Sequence, residues 1–408
     1  LHGSIAAAEN EARGLWGEFM NASLHGFIPR DGFAGTLVGR VWRPGKPSGP
    51  AVAAFRAEGV FDLSRAAPTM AALIAAPDPV ALARQSGEFI GELAPILENS
   101  FAPRPDPARP WLLAPVDLQC IKAAGVTFAA SLIERVIEER TKGDPLRADA
   151  VRRELAERIG IDLGAIKPGS AEAEKAKALL QREGLWSQYL EVGIGPDAEV
   201  FTKAPPMSAV GTGAAIGIRR DSSWNNPEPE VVLVVDPKGA IKGAALGNDV
   251  NLRDFEGRSA LLLGKSKDNN ASTAIGPFIR LFDSTFALDD LRRAEVSVTV
   301  AGKDNFRLEA VSDLGKISRD VTDLVAQTIG QNHQYPDGFV LFTGTMFAPT
   351  QDRAGAGSGF THKPGDVVTI ASPKLGALVN RVDYCDQIAP WEFGLGALMK
   401  NLAARGLL

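Results

Sequence analysis

Two carboxylates stand two residues apart at the head of an unbroken apolar run, Glu228-Pro-Glu230 followed by Val-Val-Leu-Val-Val to position 235. A run of that length and β-branched composition predicts a strand buried on both faces. Residues i and i+2 of a strand share a face, so both carboxylates point one way with α-carbons about 7 Å apart. Two like charges entering a buried strand are costly unless something neutralises them. A cation held between them removes that cost, whereas an acidic edge facing water is the alternative reading of the same tripeptide.

The next turn brings a third carboxylate. Asp236-Pro-Lys-Gly239 reads as a hairpin turn in which 236 pairs with 239, so that 230 faces 245 and 228 faces 247. Asp249 then emerges just past Glu228 on the neighbouring strand. Three carboxylates without histidine or cysteine suit a hard, oxygen-seeking cation: magnesium first, manganese or calcium as substitutes. A ligand set of three leaves coordination positions for water or substrate. The cluster also accounts for the many charges between 247 and 270, among them Asp249, Arg253, Lys265 and Lys267.

Composition narrows the rest. The chain has 408 residues, 45% of them hydrophobic, and a net charge of −5 without a basic run. Nucleic acid and anionic membranes are therefore poor partners, and no apolar stretch approaches the roughly 20 residues of a bilayer span. Cys120 and Cys385 stand far apart and suggest neither a disulfide framework nor a zinc knuckle, which points to a reducing cytoplasm. Residues 1–19 read as an upstream extension without a role in the fold.

A small amino-terminal α/β domain is expected over 20–110, closed by the proline-dense stretch FAPRPDPARP at 101–110. Short antiparallel strands are expected in 34–66, then a helix near 70–76 and one helix over 77–99. The larger domain, 111–408, opens with a strand that becomes helical near Ser131, a candidate helix cap. Residues 131–190 read as a helical insertion, and the two charged helical patterns within 145–190 as a solvated face, or more sharply as a lid. From 190 onward strands dominate, beginning with LEVGIG, and the fold class is α+β, rich in strands.

The ordered motifs EPEVVLVVD, GAALGNDVNLRD, GKSKDNN, LFTGTMFAP and HKPGDVV, with EVFTKAPPMS before them, resemble the fumarylacetoacetate hydrolase superfamily over about 115–385. The resemblance implies a mixed β-sandwich roll that assembles as a homodimer or homotetramer. It implies Glu228, Glu230 and Asp249 as metal ligands, with the metal holding a 2-oxo acid through a carboxylate and the keto oxygen. Lys265 of GKS matches the lysine that contacts substrate. Thr345 matches the residue near the substrate carboxylate. Lys203 and Arg253 match site-lining positions.

One departure bears on the chemistry. Hydrolases of this superfamily carry a histidine where GVTFAASLIERV places Ser131, although the nearby Glu134 is retained. Serine cannot take a proton from water unaided at neutral pH. His333 and His362 read as structural, or as supporting groups behind the site, rather than as substitutes for that histidine. The resemblance is therefore to the dehydratase branch, which acts on 2-keto-3-deoxy sugar acids. Conversion of 2-keto-3-deoxy-D-xylonate, the same compound as 2-keto-3-deoxy-D-arabinonate, to 2,5-dioxopentanoate is the expected activity, in oxidative pentose degradation. A C–C hydrolase of the acylpyruvate or fumarylacetoacetate type is the alternative. For the base, Glu199 and Lys203 share a strand face with Phe201 between them, so a mutual pairing would move their acidities. Lys265 is the other candidate.

Overall fold

The structure is a computed structural model and describes residues 26–158, 163, 166–353, 355 and 359–408. The extension expected over 1–19 lies outside the described residues.

In chain order the strands are β1 (Leu37–Arg43), β2 (Gly49–Arg56), β3 (Gly59–Asp62), β4 (Glu88–Gly91), β5 (Trp111–Leu113), β6 (Cys120–Gly125) and β7 (Glu199–Ala204). There follow β8 (Ala215–Ile218), β9 (Asn225–Asn226), β10 (Pro229–Val235), β11 (Ile241–Asp249), β12 (Asn251–Leu252) and β13 (Thr273–Leu281). The last are β14 (Glu295–Ala301), β15 (Arg307–Asp313), β16 (Phe339–Phe342), β17 (Val367–Ser372) and β18 (Gly376–Tyr384).

β10, the valine-rich strand, is buried at every residue. It lies inside a sheet ordered β4-β3-β2-β1-β13-β11-β10-β16-β6-β7, with β5 added beside β1. Val231, Leu233 and Val235 face a second sheet, β15-β14-β17-β18-β8, and meet Val296, Val298, Ile370 and Leu378 there. Val232 and Val234 face the opposite side, where Met70, Leu73 and Ile74 of the helix Met70–Ala75 cover them. Alternation along one strand thus feeds two cores, which is why the run carries no polar residue. Five such side chains contribute on the order of 10 kcal/mol of gross burial. That anchors the strand firmly enough to hold carboxylates at its buried head.

The fold is strand-rich α+β, as expected. The amino-terminal strands are not a separate sheet: β1 pairs with β13, so the expected boundary at 110 separates segments that share one sheet. Three local expectations are corrected. Residues 77–99 form two short helices, Pro79–Ala83 and Leu93–Ser100, with β4 between them. LEVGIG is helical, because Ser187 caps a helix over Gln188–Ile194 by accepting from Tyr189 N. The β10–β11 register is shifted: a turn in which Asp236 meets Ala240 and a bulge at Val234/Val235 together set Glu230 opposite Gly247 and Glu228 level with Asp249.

The inserted segment holds α1 (Ala129–Thr141), α2 (Ala148–Arg158), α3 (Ala171–Arg182) and α4 (Gln188–Ile194). Leu132, Val136 and Ile137 of α1 pack with Leu180, Leu190 and Trp224. Phe128, not Ser131, is the N-cap of α1; the Ser131 hydroxyl instead donates back to Phe128 O at 2.9 Å. After β12 come α5 (Arg253–Arg258) and α6 (Leu263–Lys267). Among the described residues no helix is long and apolar enough to cross a membrane.

Candidate metal centre and the cavity above it

Glu228 and Glu230 stand at the head of β10 and Asp249 at the end of β11, where Asp249 N donates to Glu228 O at 3.0 Å. The three side chains are buried, and one oxygen of each lies within 4.8 Å of the others. Glu230 Oε2 accepts from Gly344 N at 2.6 Å. Gly344 has φ +85°, and a β-carbon there would strike the Thr127 hydroxyl, so only glycine aims that amide at the carboxylate. Burial, with Asp249 and Glu228 beside it, holds the Glu230 carboxyl well above the usual carboxylate range.

Two lysines sit against the triad. Lys267 Nζ lies 2.5 Å from Glu228 Oε2 and 3.1 Å from Asp249 Oδ2. Burial disfavours its charge, but Asp249, Glu228 and Glu256 outweigh that and raise its pKa, so it stays an ammonium ion. Lys203 is fully buried, donates to the carbonyls of Lys267 and Ser272, and stands 3.2 Å from Asp249 Oδ1. Burial lowers its pKa. It backs Asp249 rather than lining the cavity. Lys265 corrects the sequence reading: it is exposed, with Nζ 4.9 Å above the Phe255 ring, and takes no part in the cavity.

Above the triad opens a cavity walled by β6, β7, α1, α5 and the loop after β16. Glu199 and Phe201 line it from β7. Glu199 has no ion-pair or hydrogen-bond partner among the described residues. Burial raises its pKa, with Arg135 and Lys267 opposing in part. The expected Glu199–Lys203 pairing does not form; each is shifted by its own desolvation.

Ser131, Glu134, Arg135 and Glu138 line the cavity from one face of α1, at the i, i+3, i+4, i+7 spacing of a helix stripe. Arg253 stacks on Trp224 at 4.2 Å and is held by Glu134 at 3.1 Å and Glu138 at 2.6 Å. Arg135 joins Glu138 at 2.6 Å, Glu256 at 2.9 Å and Glu228 Oε1. Burial drives the Glu256 carboxyl up to about 7 despite Arg135. Thr345, buried on the far wall, accepts from Phe347 N at 3.1 Å. His362 is buried elsewhere, its Nδ1 at 3.1 Å from Asp366, and among the described residues no histidine lines the cavity.

The donor set fits a hard divalent cation. It is all carboxylate, it is buried, and Asp249 Oδ1 accepts no hydrogen bond although Lys203 stands near it. Of the residues read from sequence, Glu228, Glu230, Asp249, Glu199, Arg253, Thr345 and Ser131 meet at this cavity. Lys203 supports it from behind, and Lys265 is outside. Lys267, Arg135, Glu138 and Glu256 were missed. Lys267 sits two residues from Lys265, and the SLIERVIEE pattern puts Glu134, Arg135 and Glu138 within one helical turn.

Residues 183–383 match the model of the fumarylacetoacetate hydrolase C-terminal family. The chain is 32% identical over 187 residues to a 2-dehydro-3-deoxy-D-arabinonate dehydratase of Saccharolobus solfataricus, covering 45% of this chain and 58% of that protein. Thus the chain spans little more than half of that relative's length. It is 28% identical over 268 residues to a probable 2-keto-3-deoxyxylonate dehydratase of Haloferax volcanii, covering 60% and 88% of the two chains. The fold matches a solved 2-keto-3-deoxy-D-arabinonate dehydratase with TM-score 0.60 at 22% identity, over 86% of this chain and 99% of that one. A second such structure, complexed with magnesium and 2,5-dioxopentanoate, matches with TM-score 0.59 at 22% identity, over 86% and 99%.

Proposed function

We propose, on the premise that residues 183–383 are a domain of the fumarylacetoacetate hydrolase family, that the protein is a metal-dependent hydro-lyase. Its substrate in this reading is 2-keto-3-deoxy-D-xylonate, and its products are 2,5-dioxopentanoate and water. The observation that carries the reading is Glu199, a half-buried, unpaired carboxyl facing a carboxylate triad in a cavity that no described histidine lines. Such a cavity has carboxyl groups to move protons and no described imidazole to serve as the base of a hydrolase. The names of the two sequence relatives support the same substrate class.

Glu228, Glu230 and Asp249 would hold the cation, magnesium being the best match to three carboxylates. When bound it supplies Lewis acidity to the keto and carboxylate oxygens of a 2-oxo acid, which makes the C3 protons acidic. Glu199 takes one of those protons and returns it to the hydroxyl leaving C4, so that a single carboxyl completes the loss of water. A proton then moves from C5 and one is returned to C3, and the resulting C4–C5 enol tautomerises to the aldehyde. Lys267, which Asp249 and Glu228 favour as an ammonium ion in the metal-free protein, is assigned the part of a positive charge beside an oxygen becoming negative. Thr345 holds the carboxylate end. Ser131 and Arg253 face the hydroxyl-bearing end, where a wall of charged side chains suits a hydroxylated chain better than an apolar one.

The test is mass spectrometry of the products from 2-keto-3-deoxy-D-xylonate with added magnesium. The expected product is lighter by one water and reacts as an aldehyde. Turnover unaffected by exhaustive chelation, or release of pyruvate from acylpyruvates in place of dehydration, overturns the reading.

A further inference from the structure

Ion pairs run unbroken from the metal triad to the protein surface. Asp249 meets Lys267 at 3.1 Å, and Lys267 meets Glu228 at 2.5 Å. The other oxygen of Glu228 meets Arg135, which meets Glu138 at 2.6 Å. Glu138 meets Arg253 at 2.6 Å, and Arg253 meets Glu134 at 3.1 Å. Glu134 ends the buried part, where Arg152 grips both its oxygens, Nε to Oε1 at 2.9 Å and Nη2 to Oε2 at 3.0 Å.

The sign of charge alternates at every step. Arg152 is the first member open to water, 30% exposed, and it belongs to α2 of the inserted segment. No other cation contacts Glu134 besides Arg152 and Arg253 among the described residues. Three members, Glu134, Arg135 and Glu138, ride on α1, so the fork of Arg152 fixes the middle of the helix that presents the other two. An ion buried between two opposite charges has its orientation set by both, because low dielectric makes release of either costly.

We propose that Arg152 is a positioning residue for Glu228, acting through Glu134, Arg253, Glu138 and Arg135. The inference rests on Glu228 being a metal ligand. With Arg152 gone, Glu134 draws Arg253 toward itself, Glu138 is left to Arg135 alone, and Arg135 no longer holds Glu228 in one orientation. Outer partners of a ligating carboxylate are worth about 10- to 100-fold in metal affinity when they touch the ligand directly. At this remove, a loss of about 3- to 10-fold is expected.

The experiment is a Mn2+ titration of the purified full chain followed by electron paramagnetic resonance. Arg152→Ala weakens binding by that factor, and Arg152→Lys, which keeps the charge but loses the two-pronged grip on Glu134, recovers only part of it. Glu154→Ala serves as the control, since it breaks the outer Arg140–Glu154 contact between α1 and α2 without touching the chain of pairs. Unchanged Mn2+ affinity in Arg152→Ala overturns the proposal alone, as does an equal loss in Glu154→Ala, which reduces Arg152 to a helix clamp. Wild-type binding that is absent, or insensitive to Asp249→Asn, overturns the metal reading and the proposal together.

Discussion

Gly125 and Glu199 are cross-strand partners on β6 and β7, and the Glu199 carboxylate occupies the space that a β-carbon at 125 would take. A glycine thus decides where the unpaired acid of the cavity rests. Gly125→Ala should push that carboxylate aside and lower kcat by about 10-fold or more, the scale on which small displacements of a reacting group act. Mn2+ affinity should stay within a few-fold of wild type. Steady-state kinetics beside a Mn2+ titration measures both, and unaltered kcat would remove Glu199 from the chemistry.

Glu199→Gln keeps shape and removes the proton-carrying function. Turnover of the 2-keto-3-deoxypentonate should fall by about 100-fold or more, the usual worth of a general acid–base group. Because Glu199 is not among the triad, calorimetric metal affinity should be nearly unchanged.

The two lysines of GKSK should behave oppositely. Lys267→Met leaves Glu228 and Asp249 without their shared cation, which costs about 3–5 kcal/mol of stability in metal-free protein. Saturating magnesium should restore part of that loss in urea unfolding, while activity stays absent. Lys265→Met removes only an exposed contact with Phe255, worth about 0.5–1 kcal/mol, and should leave kcat within two-fold. Loss of activity in Lys265→Met would return the catalytic lysine to that position.

Stability of the metal-free protein should fall as pH rises from about 4.5 to about 7. Burial raises the Glu256 carboxyl from 4.5 to about 7, and the Glu230 and Glu199 carboxyls also lie above their ordinary value. Raised carboxyls bind protons more tightly in the folded chain, so their stabilisation is complete below about pH 4.5 and is lost as they ionise. Acids held low by arginines, such as Asp304 and Asp320, change stability only at more acidic pH. His362, whose pKa burial lowers from 6.5, works in the opposite sense over the interval, one group against three raised carboxyls. Magnesium needs the ionised triad, so its stabilising effect should grow over the same interval. Melting curves at several pH values with and without magnesium read both trends; a metal-free protein that gains stability across that range would contradict them.

The triad was legible in the chain because strand periodicity is local. The hairpin was expected two residues out of register, yet the same three carboxylates converge. The pleat repeats every two residues, so a shift of two moves partners along the strand without changing the face. The valine run and the strand-rich class follow from equally local rules.

Other features needed the fold. On a short helix, residues two apart point to nearly opposite sides, and packing of α6 against β7 turned Lys267 inward and Lys265 out. The charges on α1 acquire their role only with β10, α5 and α2 around them, since a carboxylate facing water and one facing a guanidinium are spelled alike. Sequence alone determined which residues share a face, because backbone geometry enforces that over a few residues. Tertiary structure alone decided which charged faces are buried and whom they meet, because desolvation and pairing depend on elements far apart in the chain.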